Sequence, residues 1–269
     1  MSFTSSSGIA SALNDFFANI GTKLSNKFSP FTYDFTQYLQ RPSSSFNVIE
    51  ISQEFVRGRE LGRLKLNKAT GLDKVSVRLL KDSMDIITPS LTYLLNMSIE
   101  SSVFPCTWKN AKVCALFKSG NRSDPSCYRP ISILPTISKI HERAIHHQFF
   151  KYIKDNNLLS DKKFGFKPKL STSITDGQLT DSILKNMDDG QLTRVVLLDL
   201  SKAFDTVNHT ILLEKLSFLG VSKTTLSWFY SYQQNRQQVT SYDDSVSNPA
   251  KIPVGVPQGS ILGPLLFFI

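Results

Sequence analysis

Apolar residues recur along this chain at two spacings, which separate helical segments from extended ones. An amphipathic helix is predicted around Leu13 to Leu24, followed by a Pro- and Ser-rich stretch ending at Ser45 that reads as a linker or docking arm rather than core. A helix with a basic outer face is predicted from Gln53 to about Asn67, broken by Ala69-Thr70-Gly71. Thr88 before Pro89 reads as an N-cap with proline at the first helical position, and Leu91, Leu94, Leu95 and Ile99 mark that helix's inner face. Lys112 to Phe117 is a short apolar run of strand type, leading into a polar turn from Lys118 to Pro125. Next comes a long helix, Thr136 to Ile153, with Ile137, Ile140, Ala144 and Phe149 on one side, and Ser173 can cap another helix running to about Met187. Leu212, Leu213, Leu216 and Leu219 form a helix that stops at Gly220, and Ser222 starts the next, with Leu226, Phe229 and Tyr230 inward. Gln237 to Tyr242 and Pro249 to Val254 read as two arms of a hairpin. Helices and short strands in this order indicate the α+β class.

One segment joins this pattern to chemistry. Val195-Val196-Leu197-Leu198 is an unbroken apolar run, the pattern of a strand buried on both faces, and Asp199 follows at its end. A carboxylate there is destabilised by desolvation unless it is neutralised or a cation sits beside it. The plainer alternative is a strand-end Asp that caps the following turn.

Composition adds a polyanion partner to the picture. The 269 residues carry 31 lysines and arginines against 22 acids, for a net charge of +9, and the length allows one large or two modest domains. Eight cations lie between Arg57 and Lys81 against only Glu60 and Asp73, and a second basic cluster runs from Lys151 to Lys169. Solvated helix faces account for many such clusters, so each alone leaves nucleic acid and plain surface equally open. Cys106, Cys114 and Cys127 lack zinc spacing and read as reduced thiols. His141, His146 and His147 do not give the i, i+4 pair of a zinc helix. No apolar stretch approaches the roughly 18 residues of a membrane span, and the Ser-rich start lacks the form of a secretory signal. The expected setting is intracellular, in cytoplasm and nucleus, with no membrane partner.

Five segments, in order, resemble the reverse transcriptases of non-LTR retrotransposons, most closely jockey-like and related LINE-type elements. They are Asn67-Lys68-Ala69-Thr70-Gly71-Leu72-Asp73; the block Trp108 to Glu142, centred on Leu116-Phe117-Lys118-Ser119-Gly120 and Tyr128-Arg129-Pro130-Ile131-Ser132; Phe164-Gly165-Phe166 with Ser171-Thr172; Asp199-Leu200-Ser201-Lys202-Ala203-Phe204-Asp205; and Gly255-Val256-Pro257-Gln258-Gly259-Ser260 with Leu262-Gly263-Pro264. The resemblance covers Phe55 to Ile269. It implies a right-hand polymerase, with residues 1–50 a linker or docking arm, 51–190 the fingers and 191–269 a partial palm.

What the resemblance implies for individual residues follows from nucleotidyl transfer, in which two divalent ions activate the primer hydroxyl and carry the triphosphate. Asp199, with the backbone carbonyl of Leu200, would hold magnesium. Lys118 and Arg129 would neutralise triphosphate. Ala203 and Phe204 would lie under the incoming sugar, the Phe204 ring crowding a 2′-hydroxyl. Gln258 and Gly259 would pack near the nucleotide and template, where glycine permits close backbone approach. Phe164, Gly165 and Phe166 would contact template and primer. Asp205 belongs to the same motif with no metal assigned to it, its side chain organising the turn. The implied partners are an RNA template, a DNA primer, a deoxynucleoside triphosphate and the element RNA in a ribonucleoprotein.

The family also carries a second carboxylate pair in an aromatic-x-Asp-Asp hairpin after the glutamine-glycine motif, and the sequence ends inside that motif's apolar helix. Asp188-Asp189 and Tyr242-Asp243-Asp244 have the wrong order or spacing and read as turns. The expectation is therefore a truncated fragment, without thumb, that polymerises little or not at all by itself, with Leu265 to Ile269 an apolar helix lacking a sheet to cover. A non-catalytic nucleic-acid-binding remnant is the alternative, and a group II maturase or telomerase-like relative fits less well at Phe204-Asp205 and Tyr128-Arg129-Pro130. Ser231 to Arg236 and Lys167-Pro168 depart from the usual family pattern.

Overall fold

A computed structural model describes residues 5–27, 34–159, 165 and 171–269. Its sheet is organised about β1 (Asn110–Phe117), which pairs antiparallel with β2 (Tyr128–Ile133) and parallel with β3 (Arg236–Tyr242). The short strands β4 (Ser245–Val246) and β5 (Ala250–Ile252) both pair antiparallel with β3. This matches the hairpin expected from residue 237 onward, with Asp243 in its turn at φ 47°. β2 was not foreseen, because Pro130 argues against a strand. Ser132, two residues on, points its N–H away from β1 to the Gln258 carbonyl at 2.7 Å, so Pro130's missing donor also faces the outer edge, where proline is tolerated.

The helix α1 (Ser6–Ser25), in the stretch read as a linker or docking arm, docks on the sheet. Its Leu13 and Phe17 pack with Val113 of β1, while Asn14 accepts from Gln238 and Thr240 of β3 and donates to the Asn248 carbonyl. The predicted helix after Gln53 proves shorter and irregular, a π-helical turn over Phe55–Glu60 and a 3₁₀ turn over Leu61–Arg63, in a stretch interrupted by Gly58 and Gly62. A short helix α2 (Val77–Asp82) then precedes α3 (Met84–Glu100). Thr88 is inside α3 rather than its N-cap; its hydroxyl donates to the Met84 carbonyl, and Pro89 is accommodated in the second turn. Leu91 and Leu95 are buried as expected, whereas Leu94 is exposed.

The long helix α4 (Thr136–Asp155) forms as predicted and serves two cores. Ile140 and Ala144 pack with Val56, Leu61, Leu80, Leu91 and Leu95; Ile145, Phe149 and Ile153 join the larger cluster with Leu216, Trp228, Phe229, Tyr232 and Leu266. Beyond it, α5 (Thr172–Asp188) is capped by Ser171 rather than Ser173 and has no buried residue. Two further helices, α6 (His209–Phe218) and α7 (Lys223–Gln233), follow the predicted pattern, α6 being followed by Gly220 at φ 79° and α7 being capped by Ser222. On α7 Phe229 is buried as expected, but Tyr230 is exposed, and Trp228 and Tyr232 are the other buried rings. The last helix, α8 (Leu262–Phe268), covers other helices and not a sheet: Leu262, Leu265 and Leu266 enter the larger core with α4, α6 and α7.

Residues 191–200 overturn the strongest strand expectation. They form no strand, and Val196, Leu197 and Leu198 are 80%, 87% and 87% exposed. A strand buried on both faces needs neighbours to pair with, and among the described residues none pairs with this run. Asp199 is consequently exposed rather than buried.

His141 on α4 is the titratable group most affected by the core. It is fully buried among Phe104, Trp108 and Trp228, neither ring nitrogen has a hydrogen-bond partner among the described residues, and burial lowers its pKa from 6.5 to about 3. The unfolded chain takes up this proton near pH 6.5 and the folded chain does not until about pH 3. Its contribution to stability is thus complete above pH 6.5 and is lost as pH falls through that window, on the order of 1 kcal/mol per pH unit. Urea unfolding from neutral to mildly acidic pH should show a shallower loss of stability in His141→Leu than in the parent, and parallel slopes would refute the assignment.

Candidate nucleotide and template site

Two turns about fifty residues apart in sequence are laced together by backbone hydrogen bonds. The first is the 3₁₀ turn Ala203–Thr206, entered through Lys202 in left-handed conformation at φ 54°. Val256 N–H donates to the Phe204 carbonyl at 2.8 Å and Gly255 N–H to the Val207 carbonyl at 2.9 Å. His209 Nε2 lies 2.8 Å from the Gly255 carbonyl oxygen on the same seam. The Gln258 amide donates to both carboxylate oxygens of Asp205, at 3.1 and 3.3 Å. Burial pushes the Asp205 carboxyl upward, against the Gln258 hydrogen bonds and the Lys202 charge, which pull it down. Asp205 therefore does organise the turn, and it does so through the glutamine of the other motif.

The Gln258 turn is in turn fixed to the edge of the sheet. Ser132 donates to its carbonyl, and at Gly259, φ 123°, a side chain would collide with the Ser132 carbonyl. Only glycine allows this approach. On its other flank the first turn meets α1: a Cβ at Gly21 would overlap the carbonyl oxygen of Asp205. Phe204 stacks on Phe267 of α8 with ring centroids 4.8 Å apart.

Lys118 and Arg129 share one face of the β1–β2 hairpin. Leu116 is opposite Arg129, and Lys118 lies two residues beyond Leu116, so the two cations are diagonal neighbours at the hairpin's loop end, both exposed. Asp199 and Leu200 lie apart in the irregular segment, Leu200 71% exposed and Asp199 without a hydrogen bond or ion pair among the described residues. The fold thus unites Ala203, Phe204, Asp205, Gln258 and Gly259, and pairs Lys118 with Arg129, but gives Asp199 no converging partner. Phe164 and Phe166 lie outside the described residues; a Cβ on Gly165 would come 3.9 Å from the Phe268 ring.

Glu142, which carried no role in the sequence reading, holds the glutamine motif in place. It is wholly buried, and its carboxylate accepts from Ser138 Oγ at 3.0 Å, Tyr232 Oη at 3.2 Å, and the Ile261 and Leu262 N–H groups at 2.7 and 3.1 Å. Ser260 Oγ accepts from Gly263 N–H at 3.0 Å, so the otherwise orphaned first N–H groups of α8 are satisfied. Burial and the adjacent Glu142 charge both push the Tyr232 phenol upward, keeping it protonated as the donor. The signal was available: Ser138, His141, Glu142, Ile145 and Phe149 are spaced as one buried helical face, and the polar members of such a face need partners. Arg236, at the start of β3, was missed for the same reason.

A model of the reverse transcriptase (RNA-dependent DNA polymerase) family matches residues 118–269, and the chain belongs to that family. It is similar to the "Probable RNA-directed DNA polymerase from transposon BS" of Drosophila melanogaster, 33% identical over 213 residues that cover 77% of this chain and 23% of the relative. It also resembles the "RNA-directed DNA polymerase from mobile element jockey" of the same fly, 29% identical over 262 residues, 94% of this chain and 28% of the relative. Within the family it is a reverse transcriptase domain of the non-LTR retrotransposon type. The chain spans about a quarter of the length of these curated relatives.

Glu142→Gln should destabilise the chain by about 2 kcal/mol, because a charge-assisted acceptor of two backbone N–H groups is replaced by an amide that satisfies them less well. Gly21→Ala should cost about 1–3 kcal/mol through overlap with the Asp205 carbonyl. Urea denaturation checks both, and an unchanged midpoint in either would contradict the contact described.

Proposed function

We propose that this chain forms the fingers and part of the palm of an RNA-directed DNA polymerase that extends a primer 3′-hydroxyl with deoxynucleotides on an RNA template. Residues 51–190 would be the fingers and 191–269 the palm portion, with residues 1–50 preceding them. The observation that supports this reading is the lacing of the Ala203–Thr206 turn to the Gln258 turn, which holds the two motifs against each other. In it, Phe204 stands beneath the sugar, Ala203 beside it, and Gln258 and Gly259 against base and template. The Lys118–Arg129 pair contacts the triphosphate with charge-assisted bonds, and Phe164, Gly165 and Phe166 contact template and primer. The basic run from Arg57 to Lys81 would hold nucleic-acid phosphates, including those of the element's own RNA in a ribonucleoprotein.

Magnesium supplies polarisation of the primer hydroxyl and charge neutralisation of the triphosphate when bound. Asp199 and the carbonyl of Leu200 are the groups that would contribute to such a site. The described residues do not by themselves fit two ions: no three His, Cys, Asp or Glu side chains among them converge, and one exposed carboxylate cannot balance two dications. That observation favours a second reading for these 269 residues taken alone, nucleic-acid binding without chemistry. Among the described residues no helix is long and apolar enough to cross a membrane. An intracellular setting, cytoplasm and nucleus, is part of the proposal.

The test is primer extension on an RNA template with magnesium, using a chain extended to the length of its relatives. Asp199→Ala should abolish extension while leaving template binding within about twofold; retained extension would refute Asp199 as the metal carboxylate. Phe204→Ala should relax discrimination against ribonucleotides by roughly tenfold or more, about 1.4 kcal/mol of transition-state selectivity. Unchanged discrimination would remove the sugar-gate role.

A further inference from the structure

Arg236 is an arginine that finds no hydrogen-bond acceptor among the described residues. The residue is 3% exposed, and its Nε, Nη1 and Nη2 atoms have no acceptor among the described residues. A guanidinium does not shed its proton to escape burial. The Tyr232 ring lies 4.2 Å from its central carbon, and Phe104 lies farther away at 5.8 Å. Such cation–π contacts favour the charge but satisfy none of the N–H groups in their own plane.

Arg236 lines a cavity of about 30 Å³ under the two laced turns. Asp205, Gln258, Gln238 and Ser132 contribute polar groups to the same lining, and Phe17 and Gly21 of α1 form part of its wall. A water requires about 10–15 Å³ on this scale, so about two fit, whereas a phosphate-sized anion does not. Charge narrows the choice of partner. Lys109 and His209 lie in the field of Arg236, which adds to burial in disfavouring their protonated forms. Of the buried Glu142 and the half-buried Asp205, Glu142 already receives four hydrogen bonds. Among the described residues Asp205 accepts only from Gln258, and a carboxylate has about four acceptor positions.

We propose that this cavity is a buried hydration site in which about two ordered waters carry hydrogen bonds from Arg236 to the Asp205 carboxylate, making Arg236 a positioning residue for Gln258. The bridge supplies the charge balance that Asp205 needs in order to hold the Gln258 amide, and it links the start of β3 to the glutamine turn without direct contact. It stands whether or not the chain polymerises, since it concerns only the geometry of the laced turns.

The experiment combines a stability cycle with a spectroscopic reading on the whole chain. Arg236→Met, Asp205→Asn and the double variant are compared by urea unfolding, and the side-chain amide of Gln258 is followed by ¹⁵N NMR in the parent, Arg236→Lys and Arg236→Met. The expected coupling between positions 236 and 205 is tenfold or more in the unfolding constant, with the Gln258 amide shifted and exchanging faster in Arg236→Met and largely restored in Arg236→Lys. A core-filling Arg236 would give coupling below twofold and an unmoved Gln258 amide, and that result overturns the proposal. Should Arg236→Met fail to fold, Arg236→Lys and a high-resolution crystal structure of the parent decide: no solvent density between Arg236 and Asp205 overturns it, and bridging density supports it.

Discussion

The carboxylate of Glu142 is the constraint on which the arrangement of the glutamine motif rests. A buried charge is tolerated only when nearly every acceptor position is taken, and here two hydroxyls and two backbone N–H groups take them. The donors come from α4, α7 and the start of α8, so a single side chain fixes three helices relative to one another. Because Ile261 and Leu262 follow directly on Pro257-Gln258-Gly259, fixing their N–H groups limits where the Gln258 turn can lie. The turn's other end is held by Ser132 at the sheet edge, and its side chain by Asp205.

Helix α4, which carries Glu142, also divides the apolar interior. Ile140 and Ala144 face the smaller cluster and Ile145, Phe149 and Ile153 the larger one. Movement of this helix would disturb both cores together with the glutamine turn. An Arg143–Glu60 ion pair joins the same helix to the irregular turn at residues 55–63. That pairing is consistent with the pull of Arg143 opposing the upward push of burial on the Glu60 carboxyl.

Helical periodicity was legible wherever a helix buries one stripe against a neighbour: α4, α6 and α7 lie close to where the leucines and phenylalanines placed them. The motifs brought Asp205, Gln258 and Gly259 into view, although the bond between Asp205 and Gln258 joins residues whose separation no local pattern reveals. Val195 to Leu198 shows the converse. Apolar side chains report a capacity for burial, but burial of a strand also needs partners for its backbone N–H and C=O groups, and sequence periodicity carries no information on those. Buried charges escaped for a third reason: Glu142 and Arg236 are indistinguishable by type from surface residues, and only their position on an otherwise inward face sets them apart.

The parallel pairing of β1 with β3, closed over by α1, has a consequence for how the chain reaches this state. Helices such as α4 and α7 close through contacts a few residues apart, whereas the Thr240–Asn14 hydrogen bond joins positions 226 apart. Loop-closure entropy opposes such contacts until much else is in place, so topology makes the sheet a late and slow step. During synthesis at roughly 5–20 residues per second, the apolar face of α1 would wait on the order of tens of seconds for its strand to emerge. For that interval Leu13 and Phe17 are an exposed hydrophobic surface on a nascent chain, and α1 is made long before it can find its place.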